Sequence, residues 1–106
     1  MAKAEWNGEV IAESDKGILT EGNIYFPPDS VKQEFFKKSS TRYDCPWKGH
    51  AGYYDIVVKG KVNKDAAWYY FDTYPVANRL RNFVAFDRSK GIEIIGKAAS
   101  RLDPPN

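Results

Sequence analysis

Gly52-Tyr53-Tyr54-Asp55-Ile56-Val57-Val58-Lys59, followed past residues 60–65 by Ala66-Ala67-Trp68-Tyr69-Tyr70-Phe71, is the stretch that sets the fold class. β-Branched and aromatic residues dominate both runs, and such side chains suit a pleated, half-buried surface. In the first run a period of two puts Tyr54, Ile56 and Val58 on one face and Tyr53, Asp55 and Val57 on the other. In the second, Trp68 and Tyr70 share a face, and Ala67, Tyr69 and Phe71 share the opposite one. A Gly-containing turn region over 60–65 joins the two runs, so antiparallel pairing is expected. That pairing sets Tyr53 and the loop before it beside Tyr70 and Phe71.

Toward the N-terminus, Glu9 to Ala12 reads as a strand, Ser14 to Gly17 as a turn and Ile18 to Thr20 as the partner strand. A second turn at Glu21-Gly22-Asn23 leads into a short strand, Ile24 to Phe26, stopped by Pro27-Pro28. Ser30 with Gln33 three residues later forms a capping-box pattern, which predicts a helix of about two turns ending near Ser39. Val31 and Phe35 would form its buried stripe, and Lys37 and Lys38 would sit in its last turn, where the dipole favours cations. Toward the C-terminus, Pro75 suits a helix first turn, so Val76 to Leu80 is expected to be a short helix. Phe83 to Phe86 and Ile92 to Ile95 read as a last hairpin, and 103–106 as a frayed tail. The expectation is one domain over 1–106, mainly β (α+β), with six to seven short antiparallel strands and two short helices.

Composition supports a folded chain: 42% of the 106 residues are hydrophobic and 28% charged, which is ordinary for a globular protein. One cysteine, Cys45, and one histidine, His50, are too few for a structural zinc site, so no metal and no other cofactor are expected. No run approaches the ~20 apolar residues that span a bilayer, and the first residues lack a secretion signal, so no membrane partner and a cytoplasmic location are expected. A net charge of +2 gives no case for nucleic acid. The charge is uneven, however: residues 32–48 hold five bases and two acids, a local excess that would attract an anion.

The densest chemistry lies in Cys45-Pro46-Trp47-Lys48-Gly49-His50-Ala51-Gly52-Tyr53-Tyr54. A loop of this kind on a β scaffold often carries function. Cys45 would be a nucleophile only with its pKa lowered by a cation such as Lys48 or His50; its plainer reading is a small buried hydrophobe. Lys48 would pair with a phosphate or carboxylate, or simply face solvent. His50 has no orienting carboxylate evident in sequence and reads as incidental, while Gly49 and Gly52 serve backbone conformation. The second cluster is Trp68-Tyr69-Tyr70-Phe71 with Tyr74. Rings on both faces of one strand mean that one face fills the core and the other lines a pocket or an interface, unless both faces of a curved sheet are simply core. Strand pairing would also bring Asp44 near Asp72, a weak acid–base or Mg²⁺ signal.

Tyr25-Phe26-Pro27, Cys45-Pro46-Trp47-Lys48-Gly49, Ala51 with Tyr53-Tyr54, Ala66-Ala67-Trp68-Tyr69-Tyr70, Pro75 and Val84-Ala85-Phe86 together resemble the bacterial family known as domain of unknown function 427. The likeness runs from Trp6 to about Ile95. It implies a compact β-tent architecture, shared with Mss4-like proteins and methionine sulfoxide reductase B. The four-cysteine zinc site of many β-tent proteins does not carry over to a chain with one cysteine. A nucleotidyltransferase-like label is also attached to the family, but the Gly-Ser and paired-Asp pattern of that chemistry is missing here.

Three functions follow as expectations. The first is a small-molecule ligand held in an aromatic-lined concavity bordered by Trp47, Lys48, Tyr53, Trp68 and Tyr70. The second is a small enzyme, nucleotidyltransferase-like or thiol-dependent, with Cys45 and Lys48 as catalytic candidates. The third is a protein-interaction module with an exposed aromatic patch, for which weak homo-oligomerisation is the expected behaviour.

Overall fold

Three two-residue turns organise the chain. Asn7-Gly8, Glu21-Gly22 and Lys59-Gly60 each hold both residues at positive φ, between 50° and 83°. Two successive positive φ values are the mark of the type I′ turn, whose twist matches that of paired strands. In the computed structural model, which describes residues 1–106, these turns close three hairpins. They are β1 (Ala2–Trp6) with β2 (Glu9–Ser14), β3 (Ile18–Thr20) with β4 (Asn23–Tyr25), and β6 (Gly49–Val58) with β7 (Lys61–Thr73). Strand β5 (Phe36–Cys45) pairs with β6, and β8 (Val84–Phe86) pairs with β7. Strand β9 (Glu93–Gly96) crosses to β1, and β10 (Ser100–Arg101) lies parallel to β3.

The protein is therefore mainly β, with ten strands in three sheets ordered β2-β1-β9, β10-β3-β4 and β5-β6-β7-β8. Reciprocal 2.8 Å backbone bonds between Phe26 and Val84 tie the second sheet to the third. No helix is long and apolar enough to cross a membrane.

The antiparallel pairing of β6 with β7 agrees with expectation, and the joining turn is shorter: Lys59-Gly60 alone, with residues 61–65 already in β7. Three local readings are corrected. Segment Glu9–Ala12 does not pair with Ile18–Thr20; it folds back on β1, while β3 folds forward on β4. A two-residue turn fixes its own hairpin locally, so Asn7-Gly8 and Glu21-Gly22 capture the strands that the Ser14–Gly17 link would have joined. The helix over 30–39 does not form. Pro28–Ser30 and Gln33–Phe35 are single 3-10 turns, and the Ser30 hydroxyl donates to the Pro27 carbonyl at 2.7 Å instead of capping a helix. A two-turn helix is marginal alone. Here Val31 bridges Ala12 and Lys32 N–H donates to the Ile11 carbonyl at 2.9 Å, which leaves Lys37 and Lys38 exposed on β5. The short helix near Pro75 is a 3-10 helix, Pro75–Leu80, burying Ala77 and Leu80. Finally, Phe83–Phe86 and Ile92–Ile95 do not form a hairpin, because the 3-10 turn Arg88–Lys90 diverts the chain from β7 to β1.

The middle of the third sheet, around 66–70 of β7, is covered on both faces. Ile56, Val58, Ala67, Tyr69, Val84 and Phe86 point to a first core, shared with Ile11 of β2 and with Phe26. The edge-on contact of Phe26 with Phe86, 5.5 Å between centroids, anchors it. Ala51, Tyr70 and Ala85, with the partly buried Trp68, point to a second core that holds Ile18, Tyr25, Cys45 and Leu80. Burying each large apolar side chain contributes roughly 1.5–3 kcal/mol, so neither face of β7 is spare over 66–70. What the second core leaves open is a cleft at its edge.

Candidate functional site

Cross-strand register builds the floor of that cleft. Tyr53 stands opposite Trp68, and Ala51 opposite Tyr70, so three of the aromatic residues singled out in sequence fall on one patch. Tyr25 closes the patch from the second sheet. The Trp68 indole N–H donates to the Tyr25 hydroxyl at 3.0 Å, with the two rings edge-on at 81°. The Tyr25 and Tyr70 rings lie 6.4 Å apart.

The turn Pro46-Trp47-Lys48 between β5 and β6 supplies the charge. Lys48 is only 5% exposed. Its ammonium lies 5.1 Å from the centroid of the Trp47 ring and 5.4 Å from that of Tyr70, within cation–π range. Its ionic partner is the Glu21 carboxylate, which reaches over from the turn between β3 and β4. Gly49 makes the turn feasible. Its φ of +124° is a conformation L-residues rarely adopt, and a Cβ there would collide with the carbonyl of Asp72 on β7. The Lys48 carbonyl in turn accepts the Tyr74 N–H at 3.1 Å, pinning the turn to the end of β7.

Together Lys48, Tyr53, Trp68 and Tyr70 line an open cavity of about 180 Å³, completed by Tyr25, Asn23 and the exposed Tyr43. Burial pushes the Tyr25 phenol up to about 12, against the bond from Trp68 and with the nearby Glu21 adding to the rise. Burial, with Tyr25 and Cys45 alongside, also holds the Tyr70 phenol far above its ordinary range, and burial raises Tyr53. At neutral pH these three phenols are therefore uncharged hydrogen-bond donors, and the ion pair at the cleft is Lys48 with Glu21.

Two sequence-selected residues stand elsewhere. Trp47 lies under the Lys48 ammonium and packs on the second core, away from the cavity wall. Cys45 is buried in that core. His50 does have an orienting carboxylate: its Nδ1 lies 2.7 Å from Asp44 Oδ1 across the β5–β6 pair. That hydrogen bond raises the His50 pKa, and the charges of Asp44 and of Asp72, its neighbour on β7, add to the rise. Asp44 and Asp72 thus flank one solvent-facing imidazole. Alternation places it on the opposite face from the buried Cys45, so thiol and imidazole are not brought together. No group of three or more His, Cys, Asp or Glu side chains is arranged to hold a metal ion.

Sequence reasoning did not select Glu21, Asn23, Tyr25 or Tyr43 for the site. Tyr43 was reachable, since it faces Ala51 across β5 and β6. Glu21 and Tyr25 lie 27 and 43 residues from their partners Lys48 and Trp68, and no local pattern links them. A larger groove of about 570 Å³ also exists, between Leu19, Ile24 and residues 96–101. One wall of it is built by residues 96–101, from the end of β9 onward, whereas every residue of the aromatic cleft lies before residue 71.

No curated protein matches the chain. The family described as Domain of unknown function (DUF427) matches residues 1–95, which contain the three hairpins, both cores' aromatic residues and the whole cleft. On that match the chain belongs to the DUF427 family.

Proposed function

We propose that the protein is a small-ligand-binding domain whose site is the cleft between β4, the Pro46–Lys48 turn and β7. The supporting observation is the convergence of a buried ammonium, three neutral phenols and an indole on one open cavity. Ligand sites are mostly apolar concavities with a few placed polar groups, and this cleft has that composition. Burial of Lys48 is the telling part. Desolvating an ammonium is costly, and this one is held beside an open cavity with a partly exposed carboxylate, Glu21, as its ionic partner. At about 180 Å³ the cavity is smaller than the ~300 Å³ at which drug-sized sites begin, so its occupant is a single ring or a short chain. The β-tent expectation agrees with this reading, since such folds present concave sheet faces.

Thermal stability in a library of small metabolites tests the proposal. A compound present at 100 times its Kd adds about 2.7 kcal/mol to folding, a shift of many degrees for a domain of this size. At least one such compound is expected, and Trp68→Ala should remove the shift while the variant keeps its β-sheet spectrum. A library with no stabilising member, or a shift that survives Trp68→Ala, refutes the assignment.

A further inference from the structure

We propose that this cleft selects an anion, a carboxylate or like group carried on one small planar ring, with Lys48 as its anchor and Glu21 as the group it displaces. The inference rests on the cleft being a ligand site and adds the class of ligand. Aromatic walls alone would favour an organic cation, because ring faces attract positive charge. Here one ring of the cavity, Tyr70, already holds a cation. The Lys48 ammonium lies over the rings of both Trp47 and Tyr70, and a second cation in the same cavity would meet it at close range in a medium of low dielectric. A positively charged ligand is therefore disfavoured by the protein's own lysine.

The Lys48–Glu21 pair is unequal. The Lys48 side chain is 7% exposed and the Glu21 side chain 41%. Glu21 sits at the tip of a hairpin, where its carboxylate can turn out and be rehydrated at little cost. Lys48 is fixed between two rings and cannot follow it. An anion entering the cleft thus replaces Glu21 as the counter-charge, and Lys48 is never left buried and unpaired, the state that makes broken buried pairs costly. A neutral ligand would leave the pair in place and gain nothing from it.

Two of the remaining polar groups, the Tyr25 and Tyr53 phenols, fit an acceptor. The Tyr25 oxygen already accepts the Trp68 N–H, so its own proton is left to donate. The phenol of Tyr53, also on the cavity wall, is a donor too. The walls offer flat ring faces, and the volume equals roughly six water molecules at ~30 Å³ each, enough for one ring with a charged substituent.

Three probes of nearly equal size decide the class: benzoate, benzamide and benzylamine, each titrated at millimolar concentration into the ¹⁵N-labelled full chain. The indole signal of Trp68 reports occupancy. Benzoate is expected to bind at least tenfold more tightly than benzamide, and benzylamine more weakly than either. Glu21→Gln removes the internal competitor and should tighten benzoate about tenfold while leaving benzamide unchanged. Lys48→Met, which keeps an unbranched stem, should erase the preference for benzoate. Benzamide or benzylamine perturbing Trp68 as well as or better than benzoate would overturn the anionic class and leave the cleft as a ligand site. Benzoate weakened by Glu21→Gln would likewise overturn it. If none of the three moves the Trp68 signal, the anionic class is refuted together with the use of this cleft for small planar ligands.

Discussion

Replacing Gly49 by alanine puts the geometry of the Lys48 turn to a quantitative test. Two costs add. The residue has φ +124°, and forcing an L-residue out of its allowed regions costs about 1–2 kcal/mol. The new Cβ would also overlap the Asp72 carbonyl oxygen and come within 2.9 Å of the Thr73 Cα. Both are backbone atoms of the paired strand, so relief requires the end of the β6–β7 ladder to open. That sacrifices one or two hydrogen bonds at about 1 kcal/mol each, the bond from Tyr74 N–H to the Lys48 carbonyl first. The sum is about 3 kcal/mol, or a fall in Tm of roughly 12–24 °C for a domain near 100 residues. Gly60→Ala is the internal control. Gly60 also has positive φ, +79°, but its Cβ would meet nothing within 4 Å, so only the dihedral cost of about 1 kcal/mol applies. Urea denaturation of the two variants and the wild type gives both numbers, with an unchanged m-value as the sign that the same two-state transition is measured. If Gly49→Ala costs no more than Gly60→Ala, the close approach of the turn to β7 is wrong, and with it the placement of Lys48.

Two further predictions concern buried groups. The Tyr25 phenol titrates near 10 when unfolded and at about 12 in the fold, so its contribution is whole below pH 10 and is lost as pH rises from 10 through 12. Two pH units correspond to about 2–3 kcal/mol, so between pH 10 and 12 wild-type stability should fall by that much more than the stability of Tyr25→Phe; parallel curves would exclude a buried Tyr25. The Cys45 thiol, buried in the second core, should react with iodoacetamide at least about 100-fold more slowly in the folded chain than in urea, because modification must wait for an opening. Alkylation in the folded state as fast as in the unfolded one would revive the thiol as a reactive centre.

The parts of the fold that were legible in the sequence are those decided by a period of two. Ile56, Val58 and the alternating rings of β7 sort onto the predicted faces. The misreadings have a common physical cause, which is local signals competing with partners distant in sequence. The Ser30–Gln33 pattern is a sound helix start, yet it loses to a bridge between Val31 and Ala12. Strand β1, Ala2-Lys3-Ala4-Glu5-Trp6, contains no β-branched residue, and Trp6 at its end is its one strand-favouring residue. It is a strand because Asn7-Gly8 turns it onto β2 and because Ala2 and Ala4, both almost fully buried, are small enough to let the first sheet pack closely on the third. Asn-Gly was the available clue, since it is among the strongest hairpin turns known.

The candidate site divides along the same line. Its floor was legible because Tyr53, Trp68 and Tyr70 belong to one hairpin, and pairing across a two-residue turn follows from sequence neighbourhood. Lys48 could be selected as a charge in a loop, but its burial could not, because burial depends on Glu21 and Tyr25 arriving from a separate sheet. Trp47 shows the limit from the other side. It is adjacent to Lys48 in the turn, where no periodicity fixes direction, and its ring goes beneath the ammonium and not into the cavity. This has a consequence for chemistry. From sequence, a lysine among aromatic residues leaves open whether the rings await an external cation or hold the lysine itself. The placement of Lys48 between Trp47 and Tyr70 shows that those two rings hold the lysine itself. The charge preference proposed for the cleft thus rests on tertiary packing, on where Lys48 is buried, and neither the composition nor the order of the aromatic residues carries it.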